Sequence, residues 1–220
     1  MKLFHLTWRE PVSGFTHAAG VLLSIIALVL LEHSSMMQGT LRHCIASAIF
    51  GISLILLYSA SSLYHLLPLS SRGIALLRRL DHVMIFVLIA GTYTPVCLLP
   101  LHGPWGWSLF GASWGMACAG MFQPFFWLDA PRWFSTSLYL VMGWMVLIAF
   151  VPLMRAIALG GLIWFAVGGL LYTGGAVIYA RKRPNPFPGI FGFHEIWHLF
   201  VLAGSFCHFW AIYRYVITMP

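Results

Sequence analysis

The sequence predicts an all-α integral membrane protein, a bundle of seven transmembrane helices, on three observations. Of the 220 residues, 60% are hydrophobic and only 8% are charged, which is far from the usage of soluble proteins. The apolar residues form seven stretches, each long enough to cross about 30 Å of hydrocarbon. These stretches fill nearly the whole chain, so we expect a single transmembrane domain over residues 1–220.

The seven apolar stretches are separated by short connections. They lie at residues 13–31, 43–67, 81–100, 105–127, 133–151, 155–179 and 193–217. The first follows Lys2 and Arg9, as in a secretory signal, but no small-residue cleavage site follows it, so we expect a retained helix. Prolines and glycines end helices in LPLSSRG before the third, LDAPR before the fifth and RKRPNPFPG before the seventh. Gly111 and Gly115 in the fourth helix predict close packing against a neighbour.

The basic residues predict the orientation of the bundle. With seven crossings and a cytoplasmic N-terminus, nine of the twelve basic residues lie on the cytoplasmic side, and only Arg42, Arg155 and Arg214 lie outside. Short basic loops resist translocation, so this distribution predicts a cytoplasmic N-terminus and an external C-terminus. The net charge of +7 then indicates contact with anionic lipids of the inner leaflet and not with nucleic acid.

Ionisable side chains inside the apolar stretches are the candidates for a functional site, because a charge at the centre of a bilayer costs ~2.5–3.5 kcal/mol. His194 and His198 lie one turn apart on one face of the seventh helix. Ser61 and His65 have the same spacing near the end of the second helix, and Asp81 begins the predicted third. Because successive helices run in opposite directions, all five residues are expected at one depth near the cytoplasmic face.

Three histidines from two helices at one depth predict a metal site. His65, His194 and His198 form the three-histidine set of a catalytic zinc, which leaves the fourth tetrahedral position for water. Asp81 is the candidate to orient that water or to accept its proton. The alternatives are that the histidines pack as hydrogen-bonded core residues and that Asp81 pairs with a neighbouring arginine at the membrane surface.

Other polar residues have simpler interpretations. Ser61 can bond back to a carbonyl of its own helix. His208 lies about 15 Å beyond His198 along the helix and at a different angle, so it cannot share the metal and is expected to pack. His17 starts the first helix at the depth of the site, where it is either a supporting or a functional residue.

At these residues the chain resembles the hemolysin III family, the bacterial branch of the progestin and adiponectin receptor (PAQR) superfamily. Four segments carry the resemblance: Glu10-x-x-Ser13-x-x-x-His17, SSLYH at 61–65, LDHVMIFVLIAGTYTP at 80–95 and HEIWHLFVLAGSFCHF at 194–209. They occur in the family's order and span nearly the whole chain. The resemblance implies a seven-helix bundle with a cytoplasmic N-terminus in the bacterial cytoplasmic membrane.

The resemblance also implies roles for the site residues. Zinc is expected near the cytoplasmic face, bound by His65, His194 and His198. Asp81 is expected to contact the zinc-bound water, with Ser61 in a supporting position. In the receptor branch the associated activity is hydrolysis of ceramide-like amide lipids. For the bacterial branch, a role in membrane-lipid homeostasis stands beside the haemolysis of the family name.

Two positions depart from the family's pattern. Ser13 stands where the first motif usually carries asparagine, so the hydrogen bond of that amide is not expected here. Glu195 follows the first zinc histidine and completes His-Glu-x-x-His, the pattern of zinc metalloproteases. We interpret this as a coincidence laid over the family's His-x-x-x-His, with Glu195 as general base kept as an alternative.

The leading hypothesis is therefore a membrane-embedded zinc hydrolase that acts on a lipid amide or a related acyl substrate. The alternatives are a non-catalytic zinc-containing receptor or regulator, a pore-forming haemolysin and an intramembrane metalloprotease. A pore needs polar residues through the full depth of the membrane, and the outer halves of these helices offer little beyond Ser, Thr and Gly. The sequence indicates membrane lipid as the substrate or ligand and identifies no protein partner, substrate or oligomeric state.

Overall fold

The computed structural model describes residues 8–218, and every regular segment in that range is a helix. The α-helices are α1 (Pro11–Met37), α2 (Leu41–Leu66), α3 (Ser71–Leu98), α4 (Pro104–Phe126), α5 (Arg132–Trp144), α6 (Phe150–Ala156), α7 (Leu159–Arg181) and α8 (Phe193–Ile212). Met145–Ala149 is a 3₁₀-helix between α5 and α6, and Tyr213–Ile217 is a π-helix that continues α8. Lys2, which contributed to the predicted orientation, lies outside the described residues.

Five helical segments have the length and apolar composition needed to cross a membrane. They are Pro11–Met37, Leu41–Leu66, Arg132–Ala156, Leu159–Arg181 and Phe193–Ile217. Each corresponds to a predicted crossing, so the all-helical, membrane-spanning class is confirmed. α3 and α4 contain 28 and 23 residues but are not among the five. Their crossing of the membrane, and with it the total of seven, stays a prediction.

The helices pack largely in chain order. α1 packs against α2, α2 against α3, and α3 against α4, while α7 packs against α8. α8 also contacts α1, and α5 contacts both α3 and α7. The backbone N–H of Glu10 donates to the carbonyl of His65 at 2.9 Å, which ties the start of α1 to the end of α2. The ends of the helices that carry the candidate site therefore lie together at one end of the bundle.

The predicted fifth helix at 133–151 is interrupted in the structure. α5 ends at Trp144, and a 3₁₀ segment separates it from α6, which ends at Ala156. Pro152 accounts for the change, because proline has no N–H for the carbonyl four residues earlier and its ring collides with that carbonyl. Hydropathy predicts the apolar stretch but does not predict this interruption of the helix.

The Tyr93 hydroxyl of α3 satisfies backbone groups freed by the interruption. Its hydrogen is shared between the carbonyl oxygens of Met142 and Gly143, at 2.9 and 2.8 Å. Its oxygen accepts a hydrogen bond from the N–H of Val146 at 2.8 Å. Irregular backbone within a membrane is stable only when its polar groups find such partners. The hydrogen bonds therefore tie α5 to α3 at the break.

Two predicted helix starts are wrong. α3 begins at Ser71, ten residues before the predicted start, so Asp81 lies well inside the helix. Ser70 caps this extension by accepting a hydrogen bond from the first turn at 3.4 Å. Hydropathy detects the part of a helix that fits hydrocarbon and misses the basic turns that continue beyond it. α7 begins at Leu159 rather than at 155, since the backbone at Ala158 is not helical.

The prediction of close packing at Gly111 and Gly115 is wrong. Among the described residues, no neighbouring element lies within 4 Å of the place that a β-carbon would take at either glycine. α4 instead approaches α3 at Gly120, where the Phe86 ring occupies the space of the missing side chain. The spacing of small residues does not determine which way a helix faces.

Candidate metal centre

Three histidine side chains meet where α2 ends and α8 begins. His65 and His198 are buried, with 1% and 2% of their surface exposed, and His194 is partly buried. One ligand atom of each ring lies within 4.8 Å of the other two, and the Nε2 atoms of His65 and His194 are 3.3 Å apart. The three imidazoles are therefore close enough to bind one metal ion, which confirms the prediction that they meet.

Two acceptors near the start of α1 orient the buried rings. His65 donates from Nδ1 to the Glu10 carboxylate, and His198 donates from Nδ1 to the Ser13 carbonyl at 3.1 Å. With Nδ1 donating to these acceptors, the Nε2 atom is the one left free to bind a metal through its lone pair. The hydrogen bond from His65 holds the pKa of Glu10 below its ordinary value, so Glu10 is a carboxylate at neutral pH. Such outer partners fix the orientation and tautomer of metal-binding histidines.

His17 supports the cluster from one side. Its ring stacks on that of His198, with the centroids 3.7 Å apart and the planes at 15°. It also makes a T-shaped contact with the ring of Tyr58, at a centroid distance of 5.0 Å. Neither ring nitrogen of His17 has a hydrogen-bond partner within residues 8–218. Of the two roles that the sequence allowed, the stacking favours the supporting one.

Asp81 and Ser61 face the same cavity as the histidines. Ser61, one turn before His65 on α2, is buried with 2% of its surface exposed. Asp81 and His82, on α3, line the same cavity. A carboxyl group and a hydroxyl group thus share this cavity with the three imidazoles, although their chemical roles stay predictions.

Glu195 is already engaged by two hydrogen bonds. Its Oε1 accepts from the Ser13 hydroxyl at 2.7 Å, and its Oε2 accepts from the backbone N–H of Gly192 at 2.8 Å. The second bond is the one that a glutamate at the third position of a helix makes to the residue before the helix. The contacts favour a structural role for Glu195 and show that Ser13, which departs from the family's asparagine, makes a hydrogen bond of its own.

A long cavity extends from the histidine cluster into the bundle. Its volume is about 790 Å³, and it is lined by residues of α1, α2, α3, α5, α6, α7 and α8. Beyond the polar end its walls are largely apolar, with residues such as Leu57, Ile85, Leu88, Val96, Leu153 and Phe165. From His194 to His208, both of which line it, α8 advances by about 21 Å. The residues that line the cavity are thus spread along α8 over more than half of a ~30 Å hydrocarbon core.

Two features of this end of the molecule were not found from the sequence. The Glu10 carboxylate belongs to a family motif, but its bond to His65 depends on how α1 and α2 meet. Arg132, at the start of α5, lines the cavity, and its guanidinium lies over the rings of Tyr179 and Phe193 at 4.8 and 5.0 Å. Its only sequence signal is a basic residue at a helix start, which is common on any cytoplasmic loop.

The described residues are helical, and several of the helices are long and apolar enough to cross a membrane. Together with the three-histidine cluster, they define a multi-pass membrane protein with a site able to bind a metal ion. Residues 5–209 match the family described as Haemolysin-III related. The match covers nearly the whole chain, and the protein belongs to this family.

Relatives of known name support the assignment. The chain is 38% identical over 212 residues to the Hemolysin-3 homolog of Bacillus subtilis (strain 168), covering 96% of each chain. It is 36% identical over 209 residues to Hemolysin-3 of Bacillus cereus, covering 95% of this chain and 92% of the relative. It is also 26% identical over 220 residues to the human Monocyte to macrophage differentiation factor, covering 97% and 87%.

Proposed function

We propose that this protein is a membrane-embedded zinc hydrolase that cleaves a lipid amide or a related acyl lipid. The observation that carries the proposal is the three-histidine cluster at the polar end of a long, largely apolar cavity that Asp81 also lines. A metal site alone would also suit a structural role. The adjoining cavity and carboxyl group favour catalysis on a lipid.

The donor set fits zinc in particular. Two nitrogens bound to one tetrahedral zinc at ~2.0–2.1 Å lie about 3.3 Å apart. The Nε2 atoms of His65 and His194 are separated by 3.3 Å. Two imidazole lone pairs at that distance repel each other unless a proton or a cation lies between them. Three imidazoles, of which His65 and His198 have outer acceptors at Glu10 and Ser13, are a usual ligand set for zinc.

Replacing Glu10 with glutamine tests this support. The amide cannot accept a charge-assisted bond from His65, so we expect zinc affinity to fall by about 10- to 100-fold without loss of the fold. The measurement is competition for zinc with a chelator of known affinity. The matched control is Asp129→Asn, because Asp129 pairs with Arg78 at 2.8 Å on the surface. Equal zinc affinity in wild type and Glu10→Gln would show that Glu10 does not support the site.

Amide hydrolysis consumes one water and releases a fatty acid and an amine. Different residues around the cluster carry out its separate steps. His65, His194 and His198 would hold the zinc ion, which would supply a Lewis acid and the means to make water nucleophilic at neutral pH. The Asp81 carboxylate accepts a proton from the attacking water and returns it to the amine nitrogen as the carbon–nitrogen bond breaks. The role proposed for the Ser61 hydroxyl, which lines the same cavity as Asp81, is to help orient that carboxylate.

The intramembrane protease is the weaker enzyme hypothesis. In that mechanism Glu195 is the general base, yet both of its carboxylate oxygens accept hydrogen bonds from Ser13 and Gly192. The walls of the cavity beyond the histidine cluster are also largely apolar, which suits a lipid chain better than a peptide backbone. Both observations favour a lipid over a peptide.

The experiment is zinc analysis of the purified protein together with release of fatty acid from a ceramide in lipid nanodiscs. We expect about one zinc per chain, and turnover that a chelator removes and zinc restores. Zinc without turnover of ceramide or of a panel of acyl lipids would favour the receptor or regulator. Absence of zinc from protein purified in zinc-containing medium would exclude both.

We further propose that the bundle crosses the bacterial cytoplasmic membrane seven times, with the N-terminus inside. Arg9, Arg72 and Arg132 lie near helix ends on the side of the histidine cluster, together with the basic run at 181–183. The cation excess at that end supports a cytoplasmic location and contact with anionic lipid. Crossing by α3 and α4 makes the number seven rather than five.

Cysteine labelling distinguishes seven crossings from five. In a cysteine-free background, His102→Cys reports on the α3–α4 connection and Ile190→Cys on the α7–α8 connection, and both native side chains are exposed. With seven crossings the two positions label from opposite sides of the membrane, position 102 from outside. With only five, they label from the same side. The reagent is a membrane-impermeant maleimide, applied to intact spheroplasts and to inverted vesicles.

A further inference from the structure

Two arginine side chains line the cavity at the same end of the bundle as the histidine cluster. Arg78 lies on α3, one turn before Asp81, and Arg132 is the first residue of α5. The chemistry proposed above uses neither of them. Two cations at the polar end of a cavity that is assigned to a neutral lipid amide therefore need an explanation of their own.

Arg132 is held in place but is not neutralised. Its guanidinium lies over the rings of Tyr179 and Phe193, at 4.8 and 5.0 Å, and such cation–π contacts leave the positive charge in place. Within residues 8–218, no carboxylate lies within ion-pair distance of it. Nη1 is buried and cannot reach a ligand, and it is the only buried nitrogen of this guanidinium that lacks a partner. Nε and Nη2 make no hydrogen bond in the same range, so they retain accessible surface from which to donate to an anion.

Ser135 places a hydroxyl group next to this guanidinium. It lies one turn after Arg132 on α5 and also lines the cavity, and side chains three residues apart on a helix are neighbours. The hydroxyl of the following residue, Thr136, donates to the carbonyl of Arg132 at 2.7 Å. The Ser135 hydroxyl makes no hydrogen bond within residues 8–218 and is not among the fully enclosed polar groups. It is therefore available to a ligand in the cavity.

Arg78 contributes a second guanidinium from α3. Its Nη1 donates to the Asp129 carboxylate at 2.8 Å, and the two side chains are 34% and 85% exposed. Asp129 is three residues before Arg132 in the α4–α5 connection, so this bond holds Arg78 near the start of α5. A guanidinium has five N–H groups, and this bond occupies one of them. Because exposed ion pairs are weak, Asp129 does not prevent Arg78 from binding a second anion.

We propose that Arg78, Arg132 and Ser135 bind a phosphate group on the amine half of the lipid amide. This inference rests on the proposed function for the orientation of the substrate. With the acyl chain along the apolar walls and the amide at the histidines, the amine half is left at the polar end that carries the arginines. Two guanidinium groups balance the two negative charges of a phosphate monoester, and their forked donors match its oxygens. A carboxylate has only one charge, so the preferred substrates are lipid amides of a phosphorylated amino alcohol.

The test uses three ketone analogues of N-palmitoylethanolamine, in which a CH₂ group replaces the amide nitrogen. One analogue ends in the free hydroxyl, one in a phosphate ester and one in a carboxylate. Because a ketone has no carbon–nitrogen bond to hydrolyse, binding to the zinc-loaded protein in nanodiscs is measured without turnover. We expect the phosphate to bind about 10- to 100-fold more tightly than the hydroxyl, through hydrogen bonds between charged groups, and the carboxylate to gain less.

Arginine variants distinguish this site from direct binding of phosphate to zinc. Arg78→Gln and Arg132→Gln should each reduce the preference for phosphate by about tenfold and leave binding of the hydroxyl analogue unchanged. Arg72→Gln is the matched control and should keep the preference, because Arg72 is an exposed arginine of α3 outside the lining of the cavity. If Arg132→Gln does not fold, Arg78→Gln still decides, since it changes a side chain at the surface.

Equal binding of the hydroxyl and phosphate analogues would overturn the inference. A preference that persists in both arginine variants would also overturn it, because the phosphate would then be bound elsewhere, for example by the metal. Equal binding of the carboxylate and the phosphate would show that the chemical class is wrong. An arginine-dependent preference in a protein that hydrolyses neither ceramide nor N-palmitoyl phosphoethanolamine would overturn the proposed reaction and leave this binding site standing.

Discussion

Replacing His198 with alanine is expected to remove zinc from the protein while the helical bundle remains. His198 is buried with 2% of its surface exposed, and its Nδ1 is held by the Ser13 carbonyl at 3.1 Å. Loss of a direct ligand costs more than the ~10- to 100-fold that loss of an outer partner costs. The zinc content of the purified variant, measured by elemental analysis, should fall close to zero.

A matched variant distinguishes loss of the metal from loss of the fold. His102→Ala removes an exposed histidine from the α3–α4 connection and should keep one zinc per chain. Helical content by circular dichroism and the elution volume of the purified protein should be the same in both variants. A His198→Ala protein that keeps its zinc would show that the ion is bound elsewhere, and the proposed site would be wrong.

His65→Ala extends the result to the other helix. Its ring is positioned by Glu10 and comes from α2, far from His198 in the chain. If one ion joins α2 to α8, both single variants lose it to a similar degree. Zinc loss in only one of them would indicate that the cluster does not act as a unit.

The positions of the histidines could be predicted because they follow from helix geometry. His194 and His198 share a face at a spacing of four residues, and alternation of helix direction brings His65 to the same depth. The close approach of all three confirms this reasoning. Hydropathy also identified the helices, since apolar length is what a bilayer selects.

Contacts between helices could not be predicted in the same way. The bond from His65 to Glu10 and the stacking of His17 on His198 depend on how each helix is rotated about its own axis. Periodicity in an almost uniformly apolar helix does not define that rotation. The packing predicted at Gly111 failed for this reason, because the spacing was present but faced no neighbour.

The cavity was equally invisible in the sequence. Residues of seven α-helices line it, and its shape depends on side chains from all of them together. The interruption near Pro152 could not be predicted for the same reason, since the backbone groups that it frees are satisfied by Tyr93 on another helix. These features exist only in the packed bundle.

Replacing Asp81 with asparagine is expected to abolish turnover of a lipid amide while zinc binding is retained. Asp81 lines the same cavity as Ser61 and His65, but it does not belong to the three-histidine cluster. Asparagine has the same shape and cannot accept the proton of the attacking water. Because general-base catalysis contributes about 10²- to 10⁴-fold, we expect the rate to fall by that factor.

The measurement is the rate of fatty-acid release from ceramide by zinc-loaded protein, with zinc content determined on the same preparation. Asp129→Asn is the matched control, since Asp129 is an exposed aspartate whose partner is Arg78. Glu195→Gln is the competing variant. Its carboxylate is engaged by Gly192 and Ser13, so we expect only a small change in rate.

The rates of the three variants identify the residue that accepts the proton of the attacking water. A large loss in Asp81→Asn alone supports the proposed role, because zinc is present and only the proton acceptor has changed. A large loss in Glu195→Gln with an unchanged Asp81→Asn would transfer the role to Glu195 and restore the metalloprotease-like interpretation of His-Glu-x-x-His. Loss of zinc in Asp81→Asn would instead make Asp81 a part of the metal site, since a residue that only moves protons does not alter the amount of bound metal.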